Sequence, residues 1–439
     1  KLLWIKFSII NKYHWRLDPN SHPPSQPRTQ VSLTDSNHQF YTENSDKLLK
    51  KKKDPSLKHR HQKKNTLYKK TRFGLLKALQ FFGVTALSYI ALYLGDMSYV
   101  EAQGNIGGAC TLVDEFQINN HTTNSQSAPS VSTFSNGNFV VTWHSSLQDG
   151  FSNGVYGQLF NVNGDKVGDE FQVNTHVGGD QSRPSVSVLP NNDFVVTWNT
   201  NGQDGSDYGI YGQLFDGTGV KMGDEFQVNT YITDKQARPT VSAFNNNGFV
   251  VTWRSYEQDG SDYGIYGQLF NGTGVKMGEE FQVNNYTSGD QSIPSMSVFS
   301  NDDFIVVWHS NGQDGSNYGV FGRLFNGTGA KKGEEFQVNS HTSNSQSQPS
   351  VSVFPNNDFV VTWHSHHQDG SSFGVYGQLF NRNGTKIGNE FPVNTYIIGE
   401  QSYPSVSVLP NNNFVVTWMS NIQNGLGFGI YGQLFNGTG

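Results

Sequence analysis

Residues 184 to 198 read Pro184-Ser-Val-Ser-Val-Leu-Pro-Asn-Asn-Asp-Phe-Val-Val-Thr-Trp198. Two short β-forming runs flank a Pro-Asn-Asn-Asp turn, because Pro fixes φ while Asn and Asp tolerate left-handed conformations. The first run alternates serine with apolar residues and so has two unlike faces; the second is apolar on both. Downstream, Ile210-Tyr-Gly-Gln-Leu-Phe215 reads as a third strand and Asp216-Gly-Thr-Gly219 as a hairpin turn. Glu225-Phe-Gln-Val-Asn229 is a fourth strand, amphipathic, with Phe226 and Val228 on one side. We call these strands a, b, c and d.

The unit recurs without insertion or deletion. Phe116, Phe171, Phe226, Phe281, Phe336 and Phe391 are spaced by 55 residues, and so are Trp143, Trp198, Trp253, Trp308, Trp363 and Trp418. Six copies therefore fill residues 110–439. Four short antiparallel strands in such a length is the size of a propeller blade, and independent sandwiches would need about 100 residues each. The fold expected is all-β, a propeller-like array of six four-stranded blades. Ser185 and Ser187 give strand a the small residues that an axis demands, and Gly212 in strand c leaves room for a large neighbour, expected to be the Trp of an adjacent blade. A strand d around Val113 to Ile118 precedes the first full copy, and the last copy stops after strand c at Phe435. Their joining would close a six-bladed ring and remove both free edges.

The copies resemble tandem repeats of very large bacterial, and some protist, surface or secreted proteins, often found beside cadherin-like or haemolysin-type calcium-binding modules. The resemblance covers residues 110–439 and rests on Phe-Val-Val-Thr-Trp (Phe194 to Trp198, Phe249 to Trp253), Gln-Asp-Gly-Ser (Gln203 to Ser206, Gln258 to Ser261), Ile-Tyr-Gly-Gln-Leu-Phe (Ile210 to Phe215, Ile265 to Phe270) and Glu-Phe-Gln-Val-Asn-Thr (Glu170 to Thr175, Glu225 to Thr230). It implies adhesion-like or matrix roles and identifies no biochemical activity.

Charge divides the chain. Residues 1–102 hold 18 Lys/Arg and 7 Asp/Glu, leaving 12 basic and 29 acidic residues beyond them. An acidic repeat region argues against nucleic acid as a partner. Residues 1–72 are basic and polar, with Lys50-Lys-Lys-Lys53 as a charge run without apolar period, and read as a disordered leader, part of which need not be translated. Residues 73–102 then supply an apolar run and Val100-Glu-Ala102, in the order of a signal peptide's h- and c-regions. The alternative is an uncleaved signal anchor, which would touch the membrane through residues 73–95. Both readings put the repeats outside the cytoplasm, secreted or at the cell surface. The single cysteine, Cys110, excludes an internal disulfide framework.

Strand alternation places the b to c loops and the d to a connections on one face, the one on which the copies differ. The residue after each Trp is His144, Asn199, Arg254, His309, His364 or Met419, with Tyr256 and His366 two further on. His144, Asn199, Arg254, Tyr256, His309, His364 and His366 are the candidate ligand residues, since aromatic, amide and charged groups around a concavity suit an extracellular glycan or protein ligand. Gln126, Gln181 and their equivalents recur on the same face and are expected to hold backbone. In the Gln-Asp-Gly loops, Asp204 with Asp207 and Asp259 with Asp262 could begin a calcium site. The simpler account is an Asx-type turn capped by its own carboxylate, and no cofactor is required. No nucleophile elbow, P-loop or paired cysteine is present. The function expected is a non-catalytic adhesion or binding module acting through the loop face, not an enzyme. The alternatives are a purely structural spacer or matrix repeat, and a calcium-stiffened glycan-binding or glycan-processing propeller.

Overall fold

The computed structural model describes residues 115–439 except Leu426. The expected leader and signal segment lie outside these residues. Among the described residues there is no helix, and so none long and apolar enough to cross a membrane. The strands form six antiparallel sheets, which are the six blades of a β-propeller.

Blade two shows the plan. Strand a (Gln181–Val188), strand b (Phe194–Asn201), strand c (Tyr208–Phe215) and strand d (Lys221–Gln227) pair in that order. The Pro190-Asn-Asn-Asp193 turn closes with Leu189 N–H donating to Asp193 O at 2.8 Å, and Asn192 takes the left-handed conformation at φ 66°. The c to d turn is a hairpin in which Asp216 Oδ1 accepts from the N–H groups of Thr218 and Val220 at 2.9 and 3.0 Å. These local devices are the ones the composition of each turn calls for.

Blades adhere through apolar faces and through backbone. Trp198 is fully buried among Phe134, Val140, Val155, Leu159 and Val173 of blade one, and the same cluster repeats at every following interface. Burying one such Trp removes about 200 Å² from water, which stabilises by up to about 5 kcal/mol. Inner strands are tied directly: Ser185 and Ser187 Oγ accept from the N–H groups of Val241 and Ala243 in blade three, at 3.1 and 3.0 Å. Small residues near the axis thus supply acceptors as well as space. Glu225 adds an outer tie, accepting from Thr175 N–H of the preceding connection at 2.6 Å.

The neighbour of Gly212 differs from the expectation. A Cβ there would lie 2.6 Å from Cζ of Phe226, which belongs to strand d of the same blade. Trp198 instead faces blade one, because pleating sends the b-strand Trp to the sheet face opposite the one on which the Phe ring folds back over strand c.

The sixth blade has three strands, with strand c (Phe428–Phe435) at its edge. Residues 115–120 lie on blade one as a strand d would. Phe116 sits 5.5 Å from Phe160, as Phe171 sits 5.4 Å from Phe215, and Asn120 N–H donates to Glu170 at 2.6 Å. They form no strand with residues 428–435, so the face of blade six that carries Ile430 and Leu434 is 67% and 65% exposed at those positions.

Candidate functional site

The geometry of strand a creates the site. Its pairing with strand b shifts register between Ser182 and Ser185 in blade two and at the same place in every blade. The residue inside this bulge, just before the recurrent Pro, is Ala128, Arg183, Arg238, Ile293, Gln348 or Tyr403, each with φ between 52° and 60°. A non-glycine residue is strained in that region, and a bulge re-aims its side chain. Six innermost strands therefore present residues of five kinds beside the post-Trp positions of strand b. We call this end of the axis the mouth.

The loop face assembles as expected from strand direction. Asn201 N–H donates to Asp180 O at 3.0 Å, Asn153 Nδ2 donates to Asp180 Oδ1 at 2.5 Å and Gly289 N–H donates to Ser261 Oγ at 3.2 Å, so b to c loops pack on d to a connections. Gln181 is fully buried, donating to Gly178 O and accepting from Asn174 Nδ2, and holds backbone as expected.

The post-Trp residues divide into two kinds. His144 Nε2 pairs with Ser127 Oγ at 2.7 Å while its Nδ1 accepts from Arg183 N–H of the next blade at 3.3 Å. His364 repeats this with Ser347 and Tyr403 N–H, at 2.6 and 3.3 Å. Accepting at Nδ1 requires the neutral Nε2–H tautomer. Burial lowers the pKa of His144 to about 4 and of His364 to about 3, consistent with that form. Both are bridges between blades. Asn199 is also buried and donates to Ser182 Oγ at 2.9 Å.

Arg254 and His309 face a denser group. The Arg254 guanidinium carbon lies 4.1 Å from the Tyr263 ring centre, and Nη1 donates to Ser292 Oγ at 3.4 Å. The His309 ring lies 4.5 Å from that of Tyr318, tilted by 35°, with Nε2 3.9 Å from Asp290. Asp290 accepts from Tyr318 Oη at 3.0 Å and from Ser292 Oγ. Asp180 holds the same place in blade two, accepting from Tyr208 Oη at 3.1 Å and Ser182 Oγ at 2.8 Å. The Arg238 guanidinium is brought down to about 9, first by burial and next by Arg254, with Asp290, Tyr403 and Tyr263 opposing. Charges from blades three and four therefore act on one another at the mouth, with the neutral Tyr403 phenol of blade six near Arg238. Burial also raises the Tyr318 hydroxyl to about 12 and lowers His309 far below its ordinary value.

Tyr256 and His366 lie at the rim, Tyr256 edge-on to Tyr263 at 5.0 Å and His366 4.7 Å from Phe373. Asp204 and Asp259 serve their own loops: Oδ1 of each accepts from the N–H two residues on, at 3.1 Å from Ser206 and 3.3 Å from Ser261. Asp207 accepts from Asn201 Nδ2 at 3.0 Å. Asp262 has its pKa raised by burial and by Asp290. Among the described residues no three His, Cys, Asp or Glu gather as metal ligands would.

Sequence reasoning missed Arg183, Arg238, Tyr403, Asp180 and Asp290. The signal available was a position free to be Ala, Arg, Ile, Gln or Tyr inside a strand otherwise built of Ser and Val.

No protein-family model matches the chain, and no curated protein matches it. Solved structures do. A protein of unknown function from Dyadobacter fermentans is 11% identical, with a TM-score of 0.51 over 71% of this chain and 94% of its own. An α-L-arabinanase of Penicillium chrysogenum complexed with arabinobiose is 14% identical, with a TM-score of 0.47 over 70% and 93%. A GH93 α-L-arabinofuranosidase of Fusarium graminearum, also complexed with arabinobiose, is 12% identical, with a TM-score of 0.47 over 71% and 93%. At these identities the likeness is one of fold. The expectation of a protein that is not an enzyme is nevertheless corrected. It rested on missing local motifs, and a propeller site is assembled from several blades, where no local motif is needed, so their absence does not exclude catalysis.

Proposed function

We propose that the protein is an exported, glycan-directed propeller whose ligand sits in the mouth of the axis on the loop face. The observation that carries this reading is the convergence there of Tyr263, Tyr318 and Tyr403 with Arg238, Arg254, His309 and Asp290. Sugars present apolar ring faces edged with hydroxyls. Aromatic planes cover the first, and charged or amide groups bind the second. A purely structural spacer has no use for three arginines and two carboxylates gathered in one partly buried place.

Cleavage of a glycosidic bond is the second reading. Such hydrolysis uses two carboxyl groups, one as acid and one as base or nucleophile. Asp180 and Asp290 are carboxylates at the mouth, each oriented by a Tyr and a Ser hydroxyl.

The test applies the full chain to a glycan array, with and without a chelator, and follows with product analysis on every glycan bound, arabino-oligosaccharides included. Binding that weakens in Tyr263→Ala, with an unchanged melting temperature, supports the reading. Binding unaffected by Tyr263→Ala, or no glycan bound at all, overturns it. Products that disappear in Asp290→Asn would establish the second reading.

A further inference from the structure

Of the 5 arginines in the repeats, 3 are at the mouth: Arg183, Arg238 and Arg254. This concentration runs against the acidic balance of the repeats, whose lysines at positions 166, 221, 276, 331 and 386 are all tied to connections on the outer strands. Arg183 and Arg238 arrive through the strained bulges of blades two and three, and Arg254 through strand b of blade three, reaching towards Ser292 of blade four. They are close enough to disfavour one another's charge, Arg254 acting on Arg238 and Arg183 acting on Arg254. Asp290 opposes this repulsion at Arg238 and Arg254, and Asp180 favours the charge of Arg183, so the arginines are held in place charged at the mouth.

Two polar atoms point the same way. The buried Nε of Arg254 and Nδ1 of His309 have no hydrogen-bond partner, although the equivalent Nδ1 atoms of His144 and His364 are both engaged by the next blade. A guanidinium already stacked on Tyr263 keeps its edge for a planar oxyanion, which it binds in bidentate fashion. Tyr263 and Tyr318 lie beside Arg254, and Tyr403 beside Arg238, as aromatic surface for an attached ring.

Resting on the glycan reading above, we propose that the mouth recognises the carboxylate of an acidic sugar residue, with Arg183, Arg238 and Arg254 as the anion anchors and the three tyrosines as the ring platform. The ligand class is a uronate- or sialate-bearing glycan.

The full chain is titrated calorimetrically with oligogalacturonate, with sialyllactose, with neutral lactose and arabino-oligosaccharides, and with inorganic sulfate. One acidic sugar should bind, with affinity that falls as salt rises, and the neutral sugars at least about tenfold more weakly, as expected for loss of a charge-assisted pair. Arg254→Lys keeps the charge but loses the fork and the stacking, and should weaken the acidic sugar by about tenfold or more while leaving the melting curve in place. Arg238→Gln should weaken it likewise, which keeps the test open should one variant fold poorly. Neutral sugars bound as tightly as acidic ones would overturn this inference and leave the glycan reading intact. No sugar of either kind bound would overturn both. Sulfate bound as tightly as the acidic sugar, with no gain from the ring, would overturn the assignment to a sugar.

Discussion

Gly212 and its equivalents set the closest packing in each blade. With Phe226 folded over strand c, a methyl group at Gly212 displaces the ring, and Gly212→Ala should destabilise by about 1 to 3 kcal/mol in chemical denaturation. Gly209 is constrained in another way: a Cβ there would meet Asp204 Oδ2 at 2.4 Å, so the carboxylate that closes the Gln-Asp-Gly loop also needs a bare backbone on strand c. His144 and His364 give a prediction in pH. Their folded pKa values of about 4 and about 3 lie below the 6.5 of a free histidine, so the unfolded chain takes up protons first as pH falls. The stability they contribute is whole above pH 6.5 and declines towards pH 4 and below. Melting temperature should fall through that window, and His144→Gln with His364→Gln should flatten the fall; an equal fall in the double variant would remove both histidines from the account. These roles were half legible. The position after Trp could be picked out from the sequence, but whether its imidazole meets solvent or a neighbouring backbone depends on a contact 39 residues away.

At the scale of the element, strand a does two unlike things along its length. Below the bulge, alternating serines bond the next blade; at the bulge, one residue per blade is released towards the axis. Replacing Ser187 by Ala removes the acceptor for Ala243 N–H and should cost about 1 to 3 kcal/mol, read from the denaturation midpoint. Trp253→Ala empties a site where the side chain is fully buried and should cost about 3 to 5 kcal/mol. Strands, turns and strand order could be read from the sequence because each rests on neighbours a few residues apart: Pro190 to Asp193 make a turn wherever they stand. The bulge could not be read so. Pro184 is visible, yet the register shift beside it exists only once strand b has paired, and the meeting of Arg238 with Arg254 and Asp290 exists only once two blades have stacked.

Across the whole array, five interfaces are alike and the sixth blade ends differently. Leu379 in blade five is 5% exposed against blade six, while its counterpart Leu434 is 65% exposed. Leu379→Glu should therefore cost several kcal/mol, as a charge forced into an apolar interface does, whereas Leu434→Glu should stay within about 0.5 kcal/mol. An equal loss at the two positions would mean that blade six rests on blade one in solution. The count of six blades and their order followed from the 55-residue spacing alone. The bare face did not, because the periodic sequence gives blade six the same apolar residues as every other blade and says nothing about what covers them.

That bare face gives the array a direction in time. Each inner blade is protected on two sides, so its amide hydrogens can leave only when a neighbour has already loosened. Deuterium should enter residues 428–435 first and spread back through blades five and four, reaching strand b of blade three (Phe249–Tyr256) only later. A chain of near-identical units would then unravel from one end, with the mouth losing Tyr403 well before it loses Arg238.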